Sequence, residues 1–370
     1  MQKIRNILFI QGIYAFVDGI LIIVIPLLMI ERKINIVTMG LIFASLPITF
    51  QLLRFFFATL SDHYGRKKFV ILHGITTAFS STIFYFAYTP LQFLAGKLTQ
   101  SIKDASIWGI NRPMVLDHAE NKKRGLIFLR MFDYIFGALG ILIAGFLIAY
   151  FFFPNTILFA ILMGLFVFPF AFFLKDQKTS GGSLKKLTSS LNFMKKEPVF
   201  KKVMIFWFIM GLSDGFATAY IFPLFLSQNS FSPELIGVLL GLQSLIAGFS
   251  VFLFRKLKIT TAMALALSYA ALLFMIPNFT GTILSIMIIL IGVTGGFITS
   301  SGEGIMSRIT SSKSYGTDIG TLLLGYHFAR TINLSISGWL IASYGFVTLF
   351  SLSAIFFVVG TFYGLRNIRE

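Results

Sequence analysis

Cysteine is absent from this 370-residue chain, which excludes disulfides, thiolate nucleophiles and cysteine metal sites. Charge is scarce as well: only 12% of residues are Asp, Glu, Lys or Arg, where about a quarter is usual in a soluble domain. Acids are scarcer still, 14 against 31 Lys and Arg. No Gly-rich phosphate loop ending in Gly-Lys-Ser/Thr is present, so the chain by itself is not an ATP-driven pump. The four histidines, His63, His73, His118 and His327, are scattered, and neither paired metal-binding acids nor a nucleophile motif accompanies them. That pattern argues against an enzyme, a membrane-embedded lipid enzyme included, and implies no cofactor.

What is there is apolar. Hydrophobic residues make up 56% of the chain and mean hydropathy is +0.85. Apolar runs long enough to cross a bilayer occupy residues 5–30, 36–60, 69–88, 91–113, 125–152 and 156–174. They resume at 203–227, 234–254, 259–277, 280–306, 317–343 and 346–365. The first run is too long for a signal-peptide core and is expected to remain as a span. A net charge of +17 would suggest nucleic acid in a soluble protein. Here the cations sit in alternate connectors, at Arg66, Lys67 and Lys68, at Lys122, Lys123 and Arg124, and at Arg255 and Lys256. By the positive-inside rule both termini are expected in the cytoplasm of a multi-pass cell-membrane protein, with the lipid bilayer rather than nucleic acid as partner.

The two sets of runs predict residues 1–174 as one six-helix bundle, 175–202 as a cytoplasmic linker and 203–370 as a second bundle. In the linker Lys185, Lys186, Lys195 and Lys196 alternate with Leu184, Leu187, Leu191 and Phe193, a spacing that suits a short amphipathic helix on an anionic membrane surface. An internal repeat supports duplication. Asp18-Gly19, Pro26-Leu27 and Gly40 answer to Asp214-Gly215, Pro223-Leu224 and Gly237, with the same Pro-to-Gly separation. Gly145-Phe-Leu-Ile-Ala is echoed by Gly338-Trp-Leu-Ile-Ala. Such echoes in corresponding spans favour two parallel-related halves.

The connector from Ala58 through Leu60, Asp62 and Gly65 to Arg66-Lys67-Lys68 resembles the loop motif of the major facilitator superfamily (MFS), with Ala58 in place of its first glycine. Asp117 followed by Lys122-Lys123-Arg124-Gly125 is similar to the acid and Arg-Gly that open the fifth span in the family. The resemblance implies a cytoplasmic latch of Asp62, Arg66 and Asp117. It also implies an all-α membrane protein of about twelve spans, two six-helix bundles related by a pseudo-two-fold axis along the membrane normal. Lys97-Leu-Thr-Gln100-Ser101 is similar to the family's Arg-x-x-Gln-Gly, with two departures. The antiporter motif of span five is reduced to Gly137-Ala-Leu-Gly140 without its proline, so drug–proton exchange does not rest on that motif.

Ionisable groups at membrane depth cost about 2.5 to 3.5 kcal/mol each on insertion scales and mark partners or wet cavities. Asp18, Asp104 and Asp214 fall mid-span and Glu303 toward one end of span ten, in the helices that the resemblance places around a central path. Helical spacing sets Gln11, Tyr14 and Asp18 on one face, Lys97, Gln100, Asp104 and Trp108 on another, and Trp207, Gly211, Asp214 and Thr218 on a third. Tyr326, Arg330, Asn333 and Ser337 form a further stripe beside His327, and Arg130 with Asp133 reads as a structural pair.

The expected function is a proton-coupled secondary transporter, a monomer moving a small organic solute by alternating access. Export is favoured because the Asp18-Gly19 to Pro26-Leu27-Leu28 layout is similar to that of drug exporters of the family. The cations Lys97, Lys103, Arg130 and Arg330 leave uptake of an anionic metabolite open, and a membrane sensor that no longer transports is a further alternative.

Overall fold

The structure is a computed structural model and describes residues 2–118, 121–173, 197–217, 220–310 and 315–368. Among these residues every regular element is helical. The first half holds α1 (Gln2–Glu31), α2 (Ile36–Tyr64), α3 (Lys67–Tyr85), α4 (Pro90–Trp108), α5 (Asn111–His118), α6 (Lys122–Leu165) and α7 (Val167–Phe172). The second holds α8 (Pro198–Asp214), α9 (Ile221–Gln228), α10 (Pro233–Leu253), α11 (Ile259–Met275), α12 (Gly281–Ile309) and α13 (Tyr315–Asn367). The amphipathic helix expected in the linker lies, through residue 196, outside the described residues.

Local chemistry explains the helix ends. Asn35 accepts from the Thr38 amide at 2.8 Å and starts α2. Thr89 and Gln92 form a capping box around Pro90 at the start of α4. Gly65, at φ 90°, closes α2 by donating its amide to the Ser61 carbonyl at 3.1 Å, a turn that a side chain would strain.

Helices α6 and α13, of 44 and 53 residues, are each longer than a bilayer needs. Each breaks at one residue of positive φ, Phe152 at 62° and Gly345 at 77°. The chain doubles back there. Phe16 abuts Gly140 and also packs edge-on against Phe159, residues that would lie about 28 Å apart on a straight helix. Likewise Ser213 exchanges hydrogen bonds of 2.8 Å with Ser353 while Gly215 abuts Asn333. Runs 125–152 and 156–174 are therefore separate segments, as are 317–343 and 346–365.

The repeat extends to backbone conformation. Lys33 and Ser230, both at positive φ, stand at the same distance past Pro26 and Pro223, and Phe152 and Gly345 at the same distance past Gly145 and Gly338. The echoed glycines are the contacts between halves. Gly338 on α13 sits against the Ile36 carbonyl and Val37 of α2, and Gly40 faces the Leu334 carbonyl. In the counterpart, a β-carbon on Gly145 of α6 would lie 2.7 Å from the Pro233 carbonyl and 2.8 Å from Gly237 of α10. Two equivalent seams thus join the halves across a pseudo-two-fold axis, on the side opposite the Gly65 turn.

Candidate functional site: a charged cavity between the halves

A cavity of about 480 Å³ lies between the halves, with walls from α1, α2, α4, α5, α6, α8, α12 and α13. It is built around three groups of charge. In the first, Lys103 of α4, fully buried, holds Asp18 of α1 at 2.9 Å and its neighbour Asp104 at 3.0 Å. Gln100 donates to Asp18 at 3.2 Å and accepts from Lys97 at 2.8 Å, while the Lys97 ammonium stands 4.2 Å from the centre of the Phe43 ring. Tyr14 accepts from Trp108 Nε1 at 2.9 Å and lies under Lys103 at 5.1 Å.

In the second group the sharing is inverted. Glu303 of α12, 2% exposed, receives Arg112 of α5 at 2.6 Å and Arg130 of α6 at 3.0 Å, so one carboxylate serves two guanidiniums. Arg130 also reaches Asp133 at 3.2 Å, and Asp133 accepts from Gln11 at 2.7 Å. The Trp108 ring has Arg112 and Arg130 within 4.9 and 4.7 Å of its centre. The third group is simpler: Arg330 of α13 pairs with Asp214 of α8 at 3.2 Å, and Tyr326 donates to the same carboxylate at 2.7 Å. Breaking any buried pair of this kind strands a charge at a cost of about 3–5 kcal/mol.

A second chamber of about 390 Å³, walled mostly by the second half, adjoins the first and shares Ile22, Tyr134, Trp207, Asp214 and Tyr326 with it. Its remaining wall, including Met210, Leu240, Ile291 and Phe357, is mostly apolar, and Asp214 is its only charged residue among those described.

Tyr14, Asp18, Lys97, Gln100, Asp104, Trp108, Asp214 and Arg330 all line the first cavity. Asn333 is set apart from that wall: it is buried and donates to the Leu212 carbonyl, which the end of α8 leaves without a helical partner. Gln11 and Glu303 hold neighbouring charges from behind the wall, and Gly211 packs on the Tyr326 backbone. Of the loop motif, Gly65 makes the turn, Arg66 is buried at the start of α3, and Lys67 donates to the Phe172 carbonyl at 2.9 Å. The side chains of Asp62 and Asp117, needed for the expected latch, lie outside the described residues, as does Thr218.

Sequence reasoning passed over Arg54 and Arg112. Both line the cavity, and both are cations in or next to an apolar run, the signal that had drawn attention to the acids.

Membrane-length helices in two repeated halves around a charged central cavity define a solute transporter rather than an enzyme. The sequence profile of the Major Facilitator Superfamily matches residues 7–283, and the chain belongs to that family. No curated protein sequence matches it closely enough to count as a relative. Among solved structures it is similar to a mutant of the nucleoside transporter NupG, with a TM-score of 0.77 and 14% identity over 99% of this chain and 100% of the other. It is also similar to the human organic anion transporter MFSD10 (TETRAN), with a TM-score of 0.71 and 14% identity over 97% of this chain and 99% of the other. At such identity these likenesses carry the fold and not the substrate.

Proposed function

We propose that the protein is a proton-coupled secondary transporter that moves a small organic solute through this cavity by alternating access, outward across the cell membrane. In this reading residues 1–174 and 203–370 rock as two bodies about the linker 175–202, with both termini in the cytoplasm. The protein acts as a monomer in this reading, each chain carrying its own path. The observation that carries the reading is the Asp18–Lys103–Asp104 group. Two carboxylates share one ammonium, so a proton on either acid leaves Lys103 bound to the other. The group can thus carry a proton through the rocking movement without stranding a buried cation. Outward direction rests on the span-one layout, and exchange of solute for protons follows from it.

The test is counterflow and pH-driven flux in proteoliposomes. A proton gradient is expected to drive solute accumulation in the wild type, and Asp18→Asn and Asp104→Asn are expected to abolish the driven component while sparing solute exchange. Flux indifferent to the gradient and to both substitutions would remove proton coupling. Accumulation in the opposite sense would make the protein an uptake permease.

A further inference from the structure

The charges around the cavity almost cancel. By count, Lys103 and Lys97 balance Asp18 and Asp104, although both acids pair with Lys103 and Lys97 is held by Gln100; Arg112 and Arg130 stand against Glu303 and Asp133, and Arg330 against Asp214. The cations and acids that the sequence offered as substrate-binding groups are thus largely committed to one another. One charge is left. Arg54 of α2 lines the cavity at 4% exposure, and among the described residues it has neither a carboxylate within ion-pair distance nor a hydrogen-bond partner. Its guanidinium stands over the Phe50 ring, 5.8 Å from the centre, a contact that supplies no hydrogen-bond acceptor. A buried guanidinium is expensive at membrane depth, and five donors without acceptors make it more so. Phe50 also packs edge-to-face with His327 of α13, ring centres 5.0 Å apart, and the His327 Nδ1 is buried and without a partner. The two unsatisfied groups come from opposite halves and meet at one ring.

We propose that Arg54, with His327 beside it, is the docking point for the anionic group of the substrate, and that the substrate is an amphiphilic organic anion whose apolar body occupies the adjoining chamber. The inference rests on the transporter reading and names its substrate class. A carboxylate or sulfonate at Arg54 would accept the bidentate contact that guanidinium geometry favours and would bring the net charge of the cavity to zero. The chamber of about 390 Å³ beyond Trp207 and Tyr326 offers Met210, Leu240, Ile298 and Phe357 to the rest of the molecule and no further uncompensated charge. Because the anion would touch one residue from each half, its binding would favour the state in which the halves approach each other across Phe50.

Calorimetric titration of the purified full chain with three probes of one shape tests this: 1-naphthoate, neutral 1-naphthamide and cationic 1-naphthylmethylammonium. Naphthoate is expected to bind most tightly. Arg54→Gln is expected to weaken naphthoate by about tenfold to a hundredfold, the size of a charged hydrogen bond, and to leave naphthamide unchanged. Arg54→Lys should recover part of the loss. Without ligand, the Arg54→Gln protein should unfold at a higher temperature than wild type, because it no longer buries an unpaired charge. Equal or tighter binding of the amide or ammonium, no naphthoate binding at millimolar concentration, an affinity indifferent to Arg54, or a lower unfolding temperature would each overturn the assignment. Flux of the same probes in proteoliposomes separates the two readings. Naphthoate that binds through Arg54 but never crosses defeats transport alone, and flux that ignores Arg54 and probe charge defeats the docking point alone.

Discussion

On the side of the 31–36 and 228–233 connectors the halves meet through backbone, Gly338 against Ile36 and Gly145 against Gly237. On the Gly65 side they meet through side chains: the Glu303 bridge to Arg112 and Arg130, a hydrogen bond of 2.6 Å from Gln51 to the Gly320 carbonyl, and a small apolar cluster of Leu116 and Leu126 with Met306, Ile319 and Leu323. The first closure occurs twice, once in each half of the repeat, whereas among the described residues the second has a single copy of each contact. A backbone seam has no substitute partner, because its fit depends on the absence of a side chain. Polar contacts can be exchanged for water at small net cost once water reaches them. The single-copy side is thus suited to open while the repeated seam keeps the halves crossed on the other side, one of the two states that alternating access requires.

The largest effect is expected at Glu303. Glu303→Gln leaves Arg112 without its carboxylate and Arg130 with Asp133 alone, and should cost about 3–5 kcal/mol of stability. Thermal unfolding in detergent measures this. Replacing Arg112 and Glu303 together by methionine should recover much of the loss, since the stranded charge goes with its partner. The same Glu303→Gln change should open the Gly65 side. With no native cysteine in the chain, a single Leu323→Cys placed in the cavity wall reports that opening by faster reaction with a water-soluble maleimide. An unchanged labelling rate would mean that the Glu303 bridge does not hold this side shut.

Next come the seams. Alanine at Gly338 would overlap the Ile36 carbonyl, and alanine at Gly145 would press on Pro233 and Gly237, so each should cost about 1–3 kcal/mol. Equal losses are the expectation from the repeat. A silent substitution at one site and a large loss at the other would break the equivalence of the two seams.

The difference between these closures also marks what could be read in advance. The apolar runs and the equal Pro-to-Gly offsets were legible because membrane length and backbone crossing leave periodic traces in one strand of sequence. The echoed Gly145 and Gly338 proved to be the seam itself. The local pair Arg130–Asp133 was legible from helical spacing, but partners on different helices were not: nothing near Glu303 points to Arg112, and nothing near Asp18 points to Lys103. Helical spacing put Asn333 beside Arg330 correctly, yet the orphan carbonyl at the end of α8 drew its side chain away from the cavity. That break after Asp214 lies within an unbroken apolar run and left no mark of its own. Arg54 was visible as a cation inside run 36–60, and only the structure shows that, among the described residues, it has neither a carboxylate nor a hydrogen-bond partner.

The smallest expected effect sharpens the repeat at its most local. Phe152 and Gly345 occupy equivalent breaks, but only one of them is glycine. A left-handed backbone costs an ordinary residue about 1–2 kcal/mol, and glycine gives back about 0.5–1 kcal/mol through its greater freedom in the unfolded chain. Phe152 is largely exposed, so its ring gives up little packing within the protein when removed. Phe152→Gly should therefore stabilise by about 0.5–1 kcal/mol, and Gly345→Ala, which meets no neighbouring atom, should destabilise by about as much. Paired thermal unfolding curves measure both. Opposite signs show that the two halves turn their chains by the same conformation, with the first half bearing a strain that the second avoids. Shifts of the same sign would mean that the Phe152 ring stabilises its turn through the surrounding bilayer, and that the two breaks are equivalent in geometry but not in energy.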